Sequence, residues 1–519
     1  RYDYLITGAG SAGCVLARRL SDAGNKVLLI ETGRNDKSWI LRMPAGLRST
    51  FKPSSKYNYW FKSTKQKYLD NREIDQPRGK VLGGSSSING MTWLRGHPLD
   101  YNRWEEQGAK GWAWEECFDY FKKIESSEIN DGYRGQTGFI KAQRYENLSP
   151  LNLAFIEAGI EAGFKKSEDV NGFQQEGVSR FEMSVDNGIR NSASYGYLHS
   201  QRDNSNLTIL LNAQTEKILI KNSIAEGLVV KHKGQSTHIF ANKEVIISAG
   251  VFGSPQLLML SGVGPKAHLQ DKGIETLVDL PAVGENLQDH LQLRVAFRVE
   301  NAATLNQRAG SLLGRIGIGL EYLWSRKGPM SMAPSQLGIF AKSSPEVETA
   351  DLEFHVQPMS LEKFGDPLHP FPAFTASVVP LRPQSRGSSH IESADALAHP
   401  IINPNYLSHD GDKRVAANAI RLARTIAQQA VMEKYNPIEI KPGQAYQSDI
   451  DLAKVAGEIG TTIFHPVGTC RMGADEKAVV DIELRVNGVS GLRVVDASIM
   501  PTITSGNTNS PTIMIAEKA

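Results

Sequence analysis

The chain has 519 residues, enough for about three folding units at the usual ~150 residues each. Its 58 Lys and Arg against 56 Asp and Glu leave a net charge of +2, so no sequence-wide basic field exists to attract a phosphate backbone, and a general nucleic-acid binder is excluded. With 40% hydrophobic and 22% charged residues, the composition is that of a folded globular protein, which excludes a disordered or collagen-like chain.

Residues 2–7 read as a short buried strand, followed at once by Gly8-Ala9-Gly10-Ser11-Ala12-Gly13 and an apolar-periodic helix over 15–20. A second strand over 26–30 then delivers Glu31. In such a unit Gly8 makes the tight turn, Gly10 lets backbone approach a pyrophosphate, and Gly13 lets helix and strand pack closely. Ser11 and Ala12 lie in the glycine turn ahead of the helix, whose N-terminal N–H groups and dipole favour phosphates. Glu31, 23 residues after Gly8, is placed to accept both hydroxyls of an adenosine ribose, which disfavours a 2′-phosphate and hence NADP. The unit predicts a dinucleotide site and does not separate NAD from FAD.

Further along, Arg78-Gly79-Lys80-Val81-Leu82-Gly83-Gly84-Ser85-Ser86-Ser87-Ile88-Asn89-Gly90 has five small residues in succession at its centre. Such a backbone can lie flat against a planar ligand; a flexible surface loop is the plainer reading. This segment resembles the first signature of the glucose–methanol–choline (GMC) oxidoreductases. Ala249-Gly250-Val251-Phe252-Gly253-Ser254-Pro255-Gln256-Leu257-Leu258-Met259-Leu260-Ser261-Gly262-Val263-Gly264 resembles the second. The resemblance continues through Val283-Gly284-Glu285-Asn286-Leu287-Gln288-Asp289-His290, His465-Pro466-Val467-Gly468-Thr469-Cys470-Arg471-Met472-Gly473 and Leu492-Arg493-Val494-Val495-Asp496-Ala497-Ser498. It is closest to the branch holding choline dehydrogenase and the aliphatic alcohol dehydrogenases.

The resemblance implies an α/β (α+β) fold, with a Rossmann-like FAD-binding domain and a substrate-binding domain built on an antiparallel sheet. Segments 1–155, 205–300 and 470–519 are expected to form the first and 156–204 with 301–469 the second, with 354–356 and 373–379 as strands over the flavin. Arg78, Gly83, Gly84, Ser85, Asn89, Gly90, Asp496 and Ala497 join Gly8, Gly10, Ser11, Ala12, Gly13 and Glu31 as expected cofactor contacts. Some relatives attach flavin through a His just before the Asn of the first signature; that position is Ile88 here, so non-covalent FAD is expected. The Gly/Pro-rich stretch 365–372 reads as a loop at the cavity mouth or as a plain surface connection.

Oxidising an alcohol by hydride transfer requires removal of the hydroxyl proton in a dry site, work suited to a histidine. By resemblance His465 is that base; a satisfied core histidine is its other reading. The resemblance puts a second polar group 44 residues beyond, at Asn509, able to donate to the substrate oxygen. Read locally, 505–509 is a turn, and Ser510 and Pro511 look like the N-cap and first position of a helix over 512–519 whose N-terminus faces the flavin. His355 reads as a cavity histidine or a core one, with Phe464 and Ile463 as apolar cavity wall. Gln336 falls where choline-specific relatives place a Glu, which favours neutral primary alcohols over choline. His97 and His290 read as structural, and His369, His390, His399 and His409 lie in loop-like sequence with no metal-ligand pairing. No metal site is expected.

The expected function is FAD-dependent oxidation of a primary alcohol to the aldehyde, with electrons passed to a quinone or other carrier. An oxygen-using oxidase and a choline dehydrogenase are the alternatives, and a lyase or photodecarboxylase on the same fold is a remote one. Cys14, Cys117 and Cys470 have no paired spacing, which favours a reducing compartment. No apolar run reaches the ~18 residues of a membrane span, since even 312–324 contains Arg315 and Glu321. A cytoplasmic or peripherally membrane-associated enzyme is expected, and targeting upstream of Arg1 is not legible.

Overall fold

The computed structural model describes residues 1–201, 203–363 and 365–519. Five strands form a parallel sheet in the order Leu207–Leu211, Val27–Glu31, Tyr2–Thr7, Gln235–Ile247 and Leu492–Val494. Val27–Glu31 is buried along its whole length, as expected of a parallel strand covered on both faces. Apolar residues of the helices Ser11–Asp22, Gly250–Leu260 and Asn509–Lys518 share one core with these strands. Gln235–Ile247 is long enough to serve twice. Residues 235–240 pair antiparallel with Ile224–His232, which pairs in turn with Ala213–Lys221, and 241–247 pair parallel with the first strand.

The first helix starts at Ser11, four residues before its apolar pattern begins. Gly10 is its extended cap and carries no side chain there, so the first-turn N–H groups are left uncovered at the glycine turn. The last helix starts at Asn509 with Thr508 as its cap residue, which corrects the expected Ser510 cap. Pro511 lies within the first turn, where its missing N–H costs no intrahelical bond.

A second sheet is antiparallel throughout, ordered Ile438–Lys441, Leu291–Arg298, Ala373–Pro380, Leu352–Gln357, Leu337–Ala341 and Gly177–Arg180, with Gly460–Thr462 on the end of Leu291–Arg298. It draws residues from within the 205–300 segment as well as from 156–204 and 301–469. Leu293, Val295, Phe297, Leu352, Phe354 and Val356 pack one face against the helices Pro150–Glu161, Asp410–Ala427 and Asp449–Ile459. By strand alternation the other face carries Gln292, Arg294, Glu353, His355, Gln357, Thr375 and Ser377. All seven are buried. A polar sheet face removed from water requires internal partners or a ligand, and this face borders the site.

Among the described residues no helix is long and apolar enough to cross a membrane. The three cysteines are buried and unbonded to one another.

Candidate active site

A cavity of about 770 Å³ is lined on one side by Thr7, Gly8, Glu31 and Ser248, at the carboxyl ends of the parallel strands, and on the other by Gln292, His355 and Gln357 of the second sheet. Crevices at strand carboxyl ends are where open α/β sheets bind ligands. Gly8 has φ +99°, and a Cβ there would lie 2.2 Å from the Ser248 carbonyl oxygen; one at Gly13 would lie 1.9 Å from the Gly8 oxygen. Both glycines are required for the chain to close on itself. Gly10 differs. A Cβ there would meet nothing nearer than Gly84 Cα at 4.0 Å, so the space in front of it is cavity.

The first-signature loop packs on this turn, with Gly83 N–H donating to the Ala9 carbonyl at 2.7 Å. Gly84, Ser85, Ile88, Asn89, Gly90 and Arg78 line the cavity, as do Ser11, Ala12, Asp496, Ala497 and Asn509. Asp496 fixes the second signature, accepting from Gly250 N–H at 2.9 Å and from Ser254 Oγ at 2.5 Å. Glu31 accepts from the N–H groups of Ala9 (3.0 Å) and Gly33 (2.8 Å), and burial pushes its carboxyl up to about 7. Gly83, Ser510 and Pro511 are not cavity walls. Gly83 is wedged against Ser87 and Ser194, and with the helix beginning at Asn509, the residues of its first turn that line the cavity are Asn509 and Thr512.

His465 is buried on the cavity wall. Its backbone N–H donates to Asp289 Oδ1 at 2.9 Å, and Asp289 Oδ2 accepts from Thr462 Oγ1 at 2.6 Å and from the Tyr406 hydroxyl. The preceding residue, Phe464, has φ +70°, a conformation that costs an L-residue roughly 1–2 kcal/mol. It is held from both sides: its N–H donates to Thr462 Oγ1 at 2.7 Å and its carbonyl accepts from Arg78 at 3.0 Å. Phe464 and Ile463 line the cavity beside His465.

The ring of His465 belongs to a chain of hydrogen bonds whose protons can be assigned. The Leu381 carbonyl can only accept, so His290 Nε2, 2.9 Å away, carries the proton. Burial pushes His290 down to about 4, so it is neutral near pH 7 and its Nδ1 is a lone pair. His465 Nδ1, 3.1 Å from it, must therefore donate. That leaves His465 Nε2 unprotonated, with Asn507 Nδ2 donating to it at 2.9 Å. Asn507 also lines the cavity, and its Oδ1 is buried without a hydrogen-bond partner among the described residues.

Three expectations need correction. The amide beside His465 is Asn507; the side chain of Asn509 is engaged elsewhere, accepting from Ser11 Oγ at 2.7 Å and tying the last helix to the glycine turn. A spacing counted from His465 crosses the turn-rich stretch 473–491, where no sheet register fixes the chain length. Likewise Gln336 is not a cavity wall. It precedes the first laddered residue, Leu337, and its Oε1 accepts from Asn152 at 3.2 Å. Ser335, Gln357 and Gln292 line the cavity instead, with Gln292 held by the Thr462 carbonyl (2.9 Å) and Ser377 Oγ (3.0 Å). His290, expected to be merely structural, contacts the ring of His465 directly. His355 does line the cavity, its Nε2 3.0 Å from buried Glu353. The strand alternation of 291–298 and 352–357 was the available signal for Gln292 and Gln357.

Burial, with His290, His355 and Arg78 adding to it, holds His465 well below the usual histidine range. Its Nε2 is thus free to accept a proton at neutral pH and below. We expect the acid limb of kcat/KM for an alcohol to lie below pH ~6.5, the value of an unperturbed histidine; a limb at or above 6.5 would contradict this. Unfolding exposes both histidines, so below about 6.5 the unfolded chain binds protons that the folded chain does not, and stability is lost as the pH is lowered through that window.

Gly365, Asp366 and Leu368 line the cavity from its loop. Among the described residues no group of three or more His, Cys, Asp or Glu side chains is placed to hold a metal ion.

Comparison with known proteins gives matches to two family models, both described as GMC oxidoreductase, over residues 2–292 and 383–516. The chain is 42% identical over its full length to an oxygen-dependent choline dehydrogenase of Photobacterium profundum, covering 92% of that protein. It is 41% identical, again over its full length, to an alcohol dehydrogenase [acceptor] of Pseudomonas putida, covering 95% of it. Among solved structures, pyridoxine 4-oxidase from Mesorbium loti superposes with a TM-score of 0.90 at 29% identity, covering 100% of this chain and 98% of that one.

Proposed function

The chain belongs to the GMC oxidoreductases, FAD-dependent enzymes acting on CH–OH groups, and on that premise we propose that it oxidises neutral primary alcohols to aldehydes with His465 as the proton acceptor. The observation that carries the assignment is the hydrogen-bond chain from the Leu381 carbonyl through His290, which leaves His465 Nε2 as a lone pair on the cavity wall beside Asn507. FAD fits the residues present: Gly10 leaves room for a pyrophosphate, Glu31 for a ribose, and Ile88 offers no atom for a covalent link. When bound, FAD supplies the hydride acceptor.

An alcohol hydroxyl seated between His465 Nε2 and Asn507 Nδ2 gives its proton to the first. It accepts a hydrogen bond from the second, which shifts its donation from the imidazole to the oxygen as negative charge develops there. His290 keeps the imidazole oriented before and after that transfer, because His465 Nδ1 donates to it in both states. In this reading the first sheet serves the cofactor and the second presents the polar face that meets the substrate.

The cavity carboxylates Glu31 and Asp496 are committed to backbone and side-chain donors, Asp366 stands on the loop, and the second sheet lines the cavity with the amides of Gln292 and Gln357, with Ser335 beside them. Glu353 stands behind His355, 3.0 Å from its Nε2, and is not itself a cavity wall, so a quaternary ammonium would meet no carboxylate on the second-sheet wall to offset its lost hydration. We expect neutral primary alcohols to exceed choline in kcat/KM; choline as the best substrate of a panel would favour the second reading, choline oxidation, which the choline dehydrogenase relatives support.

Anaerobic mixing with a primary alcohol tests the whole assignment, and flavin that stays yellow would refute it. Mixing the reduced protein with air or with a quinone then identifies the acceptor. For a quinone or other carrier, reoxidation by quinone should outrun that by air; a lipid-soluble carrier would be met from a peripheral position at a membrane. Acid precipitation is expected to release FAD into the supernatant, and colour held in the pellet would overturn non-covalent binding.

A further inference from the structure

We propose that the helix Leu312–Ser325 docks the enzyme on an anionic lipid bilayer, beside the mouth of the cavity. Its sequence is apolar on the outside. Leu312, Leu313, Ile316, Leu320, Leu323 and Trp324 are 73, 82, 50, 61, 72 and 95% exposed, and at about 100° per residue they fall within roughly one third of the helix circumference. The buried residues of the helix are Ile318 and Tyr322. Ile318 lines the cavity and the Tyr322 hydroxyl donates to the Gly188 carbonyl at 3.0 Å, so one face is fixed to the enzyme and the opposite face is offered outward. A contiguous apolar stripe of this kind marks an interaction surface.

Three observations select a bilayer as the occupant. First, the helix has 14 residues, about 21 Å, too short to cross a hydrocarbon core of ~30 Å but suited to lying in its surface. Second, residues 301–335 carry Arg308, Arg315, Arg326 and Lys327 against Glu321, and Glu321 is paired with Arg308 at 2.7 Å while Lys327 is 3.7 Å from Glu146. This cationic rim complements acidic headgroups. In a twofold contact between copies the same cations would face one another. Third, Trp324 is the most exposed apolar residue of the stripe, and indole is favoured at the headgroup boundary. Arg315 and Ile318 belong to the cavity wall together with Leu305, Ala309 and Met330, so an alcohol dissolved in the bilayer would reach the site without crossing bulk water.

The inference extends the peripheral position named above, and its test reads lipid binding rather than turnover, so either can fail alone. The flavin-loaded protein is sedimented with sucrose-loaded vesicles of phosphatidylcholine, with and without phosphatidylglycerol. Co-sedimentation is expected with the acidic vesicles, weakening as salt is raised. Leu320→Ser/Leu323→Ser/Trp324→Ser, none of them a cavity residue, should lower it by about tenfold or more while flavin content and turnover of a short water-soluble alcohol are kept. Arg326→Glu/Lys327→Glu should abolish the preference for acidic lipid. Wild-type protein that stays in the supernatant, or triple-variant protein that sediments like wild type, would overturn the proposal. So would a concentration-dependent dimer dispersed by the triple substitution without vesicle binding.

Discussion

His465→Ala is expected to keep its flavin and to be reduced by a saturating primary alcohol about 10²–10⁴-fold more slowly than wild type, the usual cost of losing a positioned base, which corresponds to ~3–5.5 kcal/mol of transition-state stabilisation. The flavin should stay because the glycine turn, Glu31 and the two signature segments hold it from other elements, and because the backbone of residue 465 keeps its bond to Asp289. Anaerobic stopped-flow bleaching provides the measurement, and two further variants sharpen it. Asn507→Ala should slow reduction by a smaller factor, since water can replace part of a neutral donor. Asn509→Ala removes the partner of Ser11 Oγ and should loosen flavin retention while leaving the reduction rate of bound flavin near wild type. If Asn509→Ala slowed bleaching and Asn507→Ala did not, the pairing argued from His465 Nε2 would be wrong. Wild-type reduction in flavin-loaded His465→Ala would make His355 the next candidate.

Gly10→Val is expected to yield a folded protein without flavin. The added Cβ meets no protein atom closer than Gly84 Cα at 4.0 Å, and residue 10 has φ −81°, which any residue adopts, so the backbone accepts a side chain that opens toward the cavity. A pyrophosphate held at this turn, as proposed, would not accept it. Filling a fitted contact costs ~1–3 kcal/mol or more, about 5- to 150-fold in affinity at the least. Gly13→Val contrasts with it: a Cβ there lies 1.9 Å from the Gly8 oxygen, and this variant should lose thermal stability with or without flavin. Flavin-to-protein ratio, circular dichroism and thermal melts separate the two. A Gly10→Val protein that purifies fully yellow would remove the pyrophosphate from this turn.

The parts of the site legible in the sequence were those made by short stretches of chain. The strand, glycine turn, helix and second strand over 2–31 follow from periodicity and from glycine's access to positive φ, and the carboxylate of Glu31 follows from the end of that strand. The helix start at Ser11 was missed because its first turn is small residues with no apolar pattern to count. Arg78, Ile88 and Asn89 belong to one loop, and His465 follows from its own motif. Each reading needed only neighbours within a few tens of residues.

What tertiary structure decided is which side chains from distant segments meet. Asn507 rather than Asn509 stands beside His465 because the helix Asn509–Lys518 begins two residues after the turn places the amide, and a count across loop 473–491 cannot resolve two residues. Gln292 and Gln357 replace Gln336 on the wall because laddering starts at Leu337, and strand alternation holds only inside the ladder. His290 fixes the tautomer of a histidine far along the chain only because both rings are buried at one junction of the second sheet. The outer face of Leu312–Ser325, read in the sequence as an interrupted apolar run, is exposed because the buried residues of the helix, Ile318 and Tyr322, lie on its opposite side. Sequence sets local conformation through steric and hydrogen-bonding preferences, whereas a proton's position, a wall's polarity and a helix's free face depend on packing between segments, which no local pattern encodes.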